Sequence, residues 1–352
     1  MNIGILTFHQ AHNYGAVLQC YALKEVLSQM GHEVEVIDYR QHHLEKHYAV
    51  WDSYKIITNL LHLNLGVAWN LVSSIYSNFR RRKLYRSFLK RYFNLTKSCN
   101  ISNIPSNFDA YIIGSDQLWS KECLGGKFDQ VYFGNFKRSI DSRLITYAVS
   151  SNDSSINELI DIGSSRFENL YNISLREKKY ALLLSRTINR EVTVDIDPVL
   201  LAGANIWFHL FNHEWKGRRY MVKCLYRDWF FHKNDIDNFI DSNKYEEIDL
   251  TSKTYSLIDF ISSIYYSDFV LTTSFHATIF AIIFHKPFIC LKLCDGNDER
   301  CENLLRELGL SSNMHVKMPK SQYHDNIMWS NVEGKLEELR KKSMQHLMDS
   351  LK

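Results

Sequence analysis

The sequence predicts an α/β protein whose two domains face each other across a cleft. Three observations lead there. Short apolar runs recur along the chain, each followed by polar residues and then by a stretch of helical periodicity, as in parallel sheets with crossover helices. The pattern restarts after Trp207, so the strands fall into two groups. The chain has 352 residues, enough for two domains of ordinary size. We place the N-terminal domain at 1–203 with a helical insertion at about 41–100. The C-terminal domain follows at 204–330, and a terminal helix at 331–352 packs back on the first domain.

Residues 3–8 read as the first strand and 16–30 as a helix, with Val17, Leu18, Tyr21, Ala22, Val26 and Leu27 at helical spacing. Gly31 stops that helix and 34–37 is the second strand, which makes a right-handed β-α-β unit. The loop between strand and helix, 9–15, holds one glycine and no G-x-G-x-x-G, so a dinucleotide is not supported. Two readings stand for it. Asn13 caps the helix, or a ligand rests on the helix N-terminus with Asn13 and Gly15 beside it.

His42, His43 and His47 fall close together on a helix, but their spacing is poor for a metal and no carboxylate or Cys partner is evident. Residues 56–75 are apolar but interrupted by Asn59, His62, Asn64 and Asn70. At 79–93 basic and aromatic residues interleave. This is either a solvated face whose aromatics pack on the domain or a helix lying on an anionic membrane surface. Further strands follow at 110–113, 144–149, 172–175 and 192–196. Asp116, Gln117 and Trp119 stand at the carboxyl end of the first of these, where ligands bind in open α/β sheets. Asp116 offers a carboxylate for a hydroxyl proton and Trp119 an apolar face for a sugar ring, against a turn carboxylate and a core aromatic. Arg176, beside Glu177, offers a two-pronged clamp for a carboxylate or phosphate, against a plain salt bridge.

In the second half, strands are expected at 220–225, 247–250, 269–271 and 288–291. Helices are expected at 233–241, 256–266, 277–284 and 301–308, with a last one near 332–348. The stretch 268–288 is the most informative. A buried strand runs directly into a buried helix through Thr272, Thr273, Ser274 and His276. A helix N-terminus offers unpaired N–H groups and partial positive charge, so this elbow is a natural anion site, with Ser274 and His276 adding donors. The alternative is a buried His and Ser capping a core helix.

Composition excludes several classes. Hydrophobic residues make 45% and charged residues 23%, as in globular proteins, and a net charge of +3 gives no case for nucleic acid. No stretch is apolar enough to span a bilayer and the N-terminus reads as a strand rather than a signal peptide. The seven scattered cysteines form no C-x-x-C pair and read as reduced thiols of a cytoplasmic protein.

Seven segments then line up in order: Gly-Ile-Leu-Thr-Phe-His at 4–9 with Asn-Tyr-Gly-Ala-Val-Leu-Gln-Cys-Tyr-Ala-Leu at 13–23, Gly-Ser-Asp-Gln-Leu-Trp at 114–119, Ile-Thr-Tyr-Ala-Val-Ser at 145–150, Ile-Ser-Leu-Arg-Glu at 173–177, Asp-Pro-Val-Leu-Leu at 197–201, Thr-Ser-Phe-His at 273–276, and Arg300 ahead of Leu304 and Leu305. Together they resemble the polysaccharide pyruvyl transferase family. The resemblance implies two Rossmann-like domains arranged as in type B glycosyltransferases. It also implies transfer of pyruvate from phosphoenolpyruvate to two hydroxyls of one sugar, giving a cyclic ketal. It assigns His276 and Arg176 to the donor, with Ser274 and Arg300 supporting, and turns Asn13, Asp116 and Gln117 toward the acceptor. Two positions depart from the family pattern. Ala277 and Asn152 stand where glycines are usual, and Asn152 tolerates a left-handed turn.

The implied chemistry needs an acid and a base but no metal or further cofactor. His276 is expected as acid or phosphate ligand, Arg176 as anion clamp and Asp116 as base. A lipid-linked, galactose-type capsule or exopolysaccharide repeat is the expected acceptor, reached from the cytoplasmic face of the membrane. The alternatives are a nucleotide-sugar glycosyltransferase on the same fold and a non-catalytic glycan-binding assembly protein.

Overall fold

A computed structural model of the chain describes residues 1–47, 65–227, 233–294, 298–319 and 326–352, with side chains given outside 46–75. The first sheet contains β1 (Asn2–Leu6), β2 (Glu33–Val36), β3 (Ala110–Asp116), β4 (Arg143–Val149), β5 (Ser174–Leu175) and β6 (Thr193–Val194), all parallel, in the order β2-β1-β3-β4-β5-β6. The second contains β7 (Tyr220–Cys224), β8 (Glu246–Asp249), β9 (Phe269–Thr272), β10 (Phe288–Leu291) and β11 (Met314–His315), also parallel, in the order β11-β10-β9-β7-β8.

The helices are α1 (Tyr14–Gln29), α2 (His42–His47), α3 (Leu65–Tyr92), α4 (Asp153–Ile162), α5 (Lys178–Ile188), α6 (Pro198–Ala202), α7 (Lys233–Asn243), α8 (Leu257–Tyr266), α9 (Phe275–Ile283), α10 (Glu299–Leu308) and α11 (Trp329–Leu351). The fold class is the one expected, two parallel α/β sheets over a cleft. Among the described residues no helix is long and apolar enough to cross a membrane.

Strand order decides where ligands can go. In the first sheet the order reverses between β1 and β3, and in the second between β7 and β9. A crevice opens at such switch points outside the carboxyl ends of the strands. The loops after β1, β3, β7 and β9 all reach one cavity between the domains.

Between the sheets, α1, α6, α8 and α9 share one apolar core, in which Val17, Leu18, Trp207, Phe260 and Phe280 are buried. The α9 segment has almost no polar face because it lies between its own sheet and α1, so it carries apolar residues all round. Tyr14 ties the domains directly. Its ring stacks on Phe260 at 4.4 Å and its hydroxyl donates to the Tyr255 carbonyl at 3.0 Å.

The last helix, α11, crosses back to the first domain. Ser343 Oγ accepts from Ile196 N at 3.1 Å, Arg340 Nε donates to the Leu200 carbonyl at 2.7 Å, and His346 Nδ1 lies 2.7 Å from Asp195.

In the basic, aromatic stretch at 79–93 the aromatics pack on the domain, as one of its two readings expects. Tyr85, Phe88, Leu89 and Phe93 are buried, and Phe88 meets Tyr21 edge-on at 5.8 Å. Tyr85, Phe88 and Leu89 are the (i, i+3, i+4) stripe of α3, continued by Phe93 just past its end, and they pack on α1, which leaves Phe79 as the exposed aromatic of the stretch. Of the interrupted apolar stretch at 56–75, residues 56–64 lie outside the described residues, as do 295–297 of the loop before Arg300.

Candidate functional site

The elbow is built from its hydroxyls. Thr272 Oγ1 donates to the Cys224 carbonyl at 3.1 Å and accepts from Ser274 N at 2.8 Å, which pins the turn to the neighbouring strand. Ser274 is the N-cap of α9, its Oγ accepting from Ala277 N at 3.4 Å. His276 then falls in the first turn and is buried. It leans on the N-terminus of α1, so closely that a Cβ added at Gly15 would lie 2.0 Å from its Nδ1. The N-termini of α1 and α9, one from each domain, therefore meet at this imidazole. Gly15 was expected as a ligand contact. Its missing side chain makes room for His276, and Gly15 also lines the cavity between the domains.

Behind His276 lies Asp197, the N-cap of α6, whose Oδ1 accepts from Val199 N at 2.8 Å. Its Oδ2 lies 2.8 Å from Arg176 Nη2 and 3.4 Å from His276 Nε2. Burial would push this carboxyl up, but the Arg176 guanidinium and the His276 ring outweigh it and hold the carboxyl at about 2. Arg176 leaves the end of β5, is nearly buried, and also donates to Ser115 Oγ. Its guanidinium lies over the Phe275 ring at 5.1 Å, and that of Arg300 over the same ring at 5.3 Å. The neighbouring Glu177 accepts from Ser150 Oγ at 2.6 Å, and burial pushes its carboxyl up. Among the described residues Arg176 Nε and Nη1, His276 Nε2 and Glu177 Oε2 are buried without a hydrogen-bond partner. Unpaired polar atoms, donors on Arg176 and an acceptor on Glu177, gathered at one point leave bonds for a ligand to complete.

Two cavities flank this cluster. One, of about 420 Å³, lies between the domains and is lined by Asn13, Gly15, Asp116, Gln117, Ser274, His276 and Arg300 among others. The other, of about 970 Å³, is lined by Arg176, Glu177, Asp197 and Arg300. Phe275, Asp298 and Arg300 belong to both and form the wall between them. Asp116, at a φ of 87°, accepts from Gln117 N at 2.8 Å and keeps a carboxylate at the cavity wall.

Asn13 both caps α1, accepting from Ala16 N at 3.3 Å, and lines the cavity. The two readings of that loop therefore hold together. Trp119 is a correction. It is fully buried, its Nε1 donates to the Tyr132 carbonyl at 2.9 Å, and it stacks on Phe133 at 5.3 Å, so no sugar can reach its face. Trp119→Ala should therefore destabilise the fold by about 3–5 kcal/mol, read as a lower melting midpoint, without a specific rise in acceptor KM. Asn152 takes an ordinary backbone conformation. It is extended (φ −133°) and caps α4 through Ser155 N rather than turning left-handed.

His43 lines the interdomain cavity and sits against Gly125, while the His47 side chain lies outside the described residues. Among the described residues no three metal-ligating side chains gather. The sequence reading missed Asp197 and Phe275 as site residues. The signals were present, an Asp-Pro at a helix start and the residue beside the elbow histidine, but both also read as ordinary cap and core.

The contact between Gly15 and His276 gives a sharp test. A helix start tolerates Ala well, so Gly15→Ala should cost α1 little by itself. The added Cβ must displace the imidazole, and activity should fall roughly tenfold or more with little change in melting midpoint. Unchanged kinetics in that variant would mean the ring's position is immaterial.

A family model described as polysaccharide pyruvyl transferase matches residues 13–295, a span that holds Arg176, Asp197 and His276 and ends before Arg300. No curated protein sequence matches the chain. Among solved structures it is similar to UDP-GlcNAc 2-epimerase from Methanocaldococcus jannaschii in complex with UDP-GlcNAc and UDP, at 14% identity, 99% of both chains covered and a TM-score of 0.46. It is similar to UDP-GlcNAc 2-epimerase from Neisseria meningitidis bound to UDP-GlcNAc, at 8% identity, 100% of this chain and 99% of that one covered and a TM-score of 0.47. A third is the glycosyltransferase SsfS6 from Streptomyces sp. SF2575, at 12% identity, 98% and 96% covered and a TM-score of 0.39.

Proposed function

We propose, because the chain belongs to the polysaccharide pyruvyl transferase family, that it moves pyruvate from phosphoenolpyruvate onto two hydroxyls of one sugar, forming a cyclic ketal and releasing phosphate. The observation that carries this reading is the cluster of Arg176, His276 and Arg300 around Phe275, with buried donors left unpartnered. Phosphoenolpyruvate is small and polyanionic, and two guanidiniums, an imidazole and a helix N-terminus suit its carboxylate and phosphate.

The reaction needs a proton on the methylene carbon, which leaves an oxocarbenium-like centre at the adjacent carbon. One sugar hydroxyl adds there and gives up its proton. The carbon–oxygen bond to phosphate then breaks, and the second hydroxyl closes the ring and loses its proton. His276 is the acid in this scheme, Asp197 orients it, and Arg176 and Arg300 hold the donor's charge. Asp116, on the facing wall of the cavity, takes the hydroxyl proton. Asn13 and Gln117 border the space left for the sugar. A lipid-linked, galactose-type acceptor at the cytoplasmic membrane face fits this reading.

The test mixes purified protein with phosphoenolpyruvate and a panel of lipid-linked and chromophore-tagged glycosides, galactosides included, and follows phosphate and product mass. Acceptor-dependent phosphate release with a mass gain of one pyruvyl ketal supports the reading. Consumption of a sugar nucleotide in place of phosphoenolpyruvate, or glycan binding with no affinity for phosphoenolpyruvate, overturns it.

A further inference from the structure

We infer that Arg81, Arg82 and Arg86 of α3, together with His12, form a second anion site at the mouth of the interdomain cavity, which takes a phosphate or diphosphate group carried by the sugar acceptor. The inference rests on the pyruvyl-transfer reading for the word acceptor, but the site is argued on its own geometry.

The anchor is Tyr85. It is buried, and its ring lies 5.4 Å from that of His12 and 5.8 Å from that of Tyr14. Tyr14 lines the cavity and stacks on Phe260 of the second domain. On a helix, residues 81 and 82 lie beside residue 85, and residue 86 lies beside residue 82. The face of α3 that touches the loop before α1 therefore carries Arg81 and Arg82, with Arg86 one turn beyond Arg82. Their reach shows in the neighbours. Burial first, then Arg81, Arg82 and Arg86, push His12 down to about 4. Arg81 also acts on Tyr14 and on Tyr226, which lines the cavity from the second domain. Among the described residues no carboxylate lies within ion-pair distance of Arg81, Arg82 or Arg86, though Asp38 is taken by Arg40 at 2.7 Å nearby.

Asp38, held by Arg40, also acts on Arg86, so the cluster keeps an excess of positive charge that focuses a field on one spot, and guanidinium groups bind phosphate in two-pronged fashion. The donor cluster is a different place, since Arg176 and Arg300 meet at Phe275 and Asp197. The 420 Å³ cavity is lined by Arg300 on the donor side and by Tyr14, the neighbour of Tyr85, on the side of this cluster, so a sugar lying there would have the two groups of cations on different sides.

Isothermal titration of the full chain with inorganic pyrophosphate tests the site. Arg81→Ala/Arg82→Ala should weaken binding roughly tenfold or more, and Arg81→Glu/Arg82→Glu further still, while Arg176→Ala retains it. Equal affinity in the wild type and the alanine double variant overturns the proposal. So does loss of all pyrophosphate binding in Arg176→Ala, which would put the anion in the donor site alone. A parallel arm uses phosphatidylglycerol vesicles. If the double variant loses vesicle binding and the wild type shows no affinity for pyrophosphate, the cluster reads a lipid surface and the proposal falls. These titrations need no turnover, so failure here is separable from failure of the pyruvyl-transfer reading, which is read from phosphoenolpyruvate-dependent phosphate release.

Discussion

Arg176→Ala and His276→Ala should each lower phosphoenolpyruvate-dependent turnover roughly a hundredfold or more. The two substitutions reach that result by different routes. Arg176 is a buried cation that joins Asp197, Ser115 and the Phe275 face. Its removal takes away the guanidinium proposed to clamp the donor and also strands a buried carboxylate, so a loss of stability should accompany the loss of activity. His276 carries no comparable structural load, since α9 is held by Ser274, Thr278 and its apolar surface. Its alanine variant should melt close to the wild type and still be inactive. Arg176→Lys is not a mild change, because an ammonium cannot span Asp197 and Ser115 while stacking on a ring. Steady-state rates with melting curves for the three variants decide the matter. Near-normal turnover in His276→Ala removes the imidazole from the mechanism, and near-normal turnover in Arg176→Ala does the same for the guanidinium.

Much of the frame was readable in the residues. Strands such as β1, β4, β9 and β10 are short apolar runs with polar ends, and a buried parallel strand has little other choice of sequence. The elbow was legible as a strand passing directly into a buried helix, because a short polar turn between two apolar runs marks that junction, and Ser274 caps the helix as one of the two readings expects. The two-residue strand β11 was not, since it leaves no periodicity to find. The long helix α3 was read only in its second half, where basic and aromatic residues alternate. Its inward stripe depends on α1 being beside it, which is a tertiary fact. Trp119 and Asp197 fail in opposite directions for one reason. A tryptophan after a strand end suits a sugar or a core equally, and an aspartate before proline suits a cap or a charge partner equally. Only the fold puts Trp119 against Phe133 and Asp197 between Arg176 and His276.

Asp197→Asn should then be among the most damaging single substitutions outside the apolar core. The amide keeps the shape and can still accept from Val199 N, so the cap of α6 survives. The charge does not survive, and Arg176 is left as a nearly buried cation without its counter-ion. Breaking one side of a buried pair costs about 3–5 kcal/mol. The melting midpoint should fall accordingly, and turnover should fall with it because the imidazole and the guanidinium lose their common support. The pH dependence carries the sign of the effect. The carboxyl stands at about 2 in the fold against an ordinary 3.8, so it is a group whose folded value is depressed. Its contribution is complete above pH 3.8 and is lost as pH falls toward 2. The gap in melting midpoint between wild type and Asp197→Asn should therefore be constant from neutral pH down to about 5 and close only in acid below 4. A gap that closes already between pH 7 and pH 6 would trace the stability to a histidine instead. A variant as stable and as active as the wild type would show that the buried carboxylate supports neither the fold nor the site.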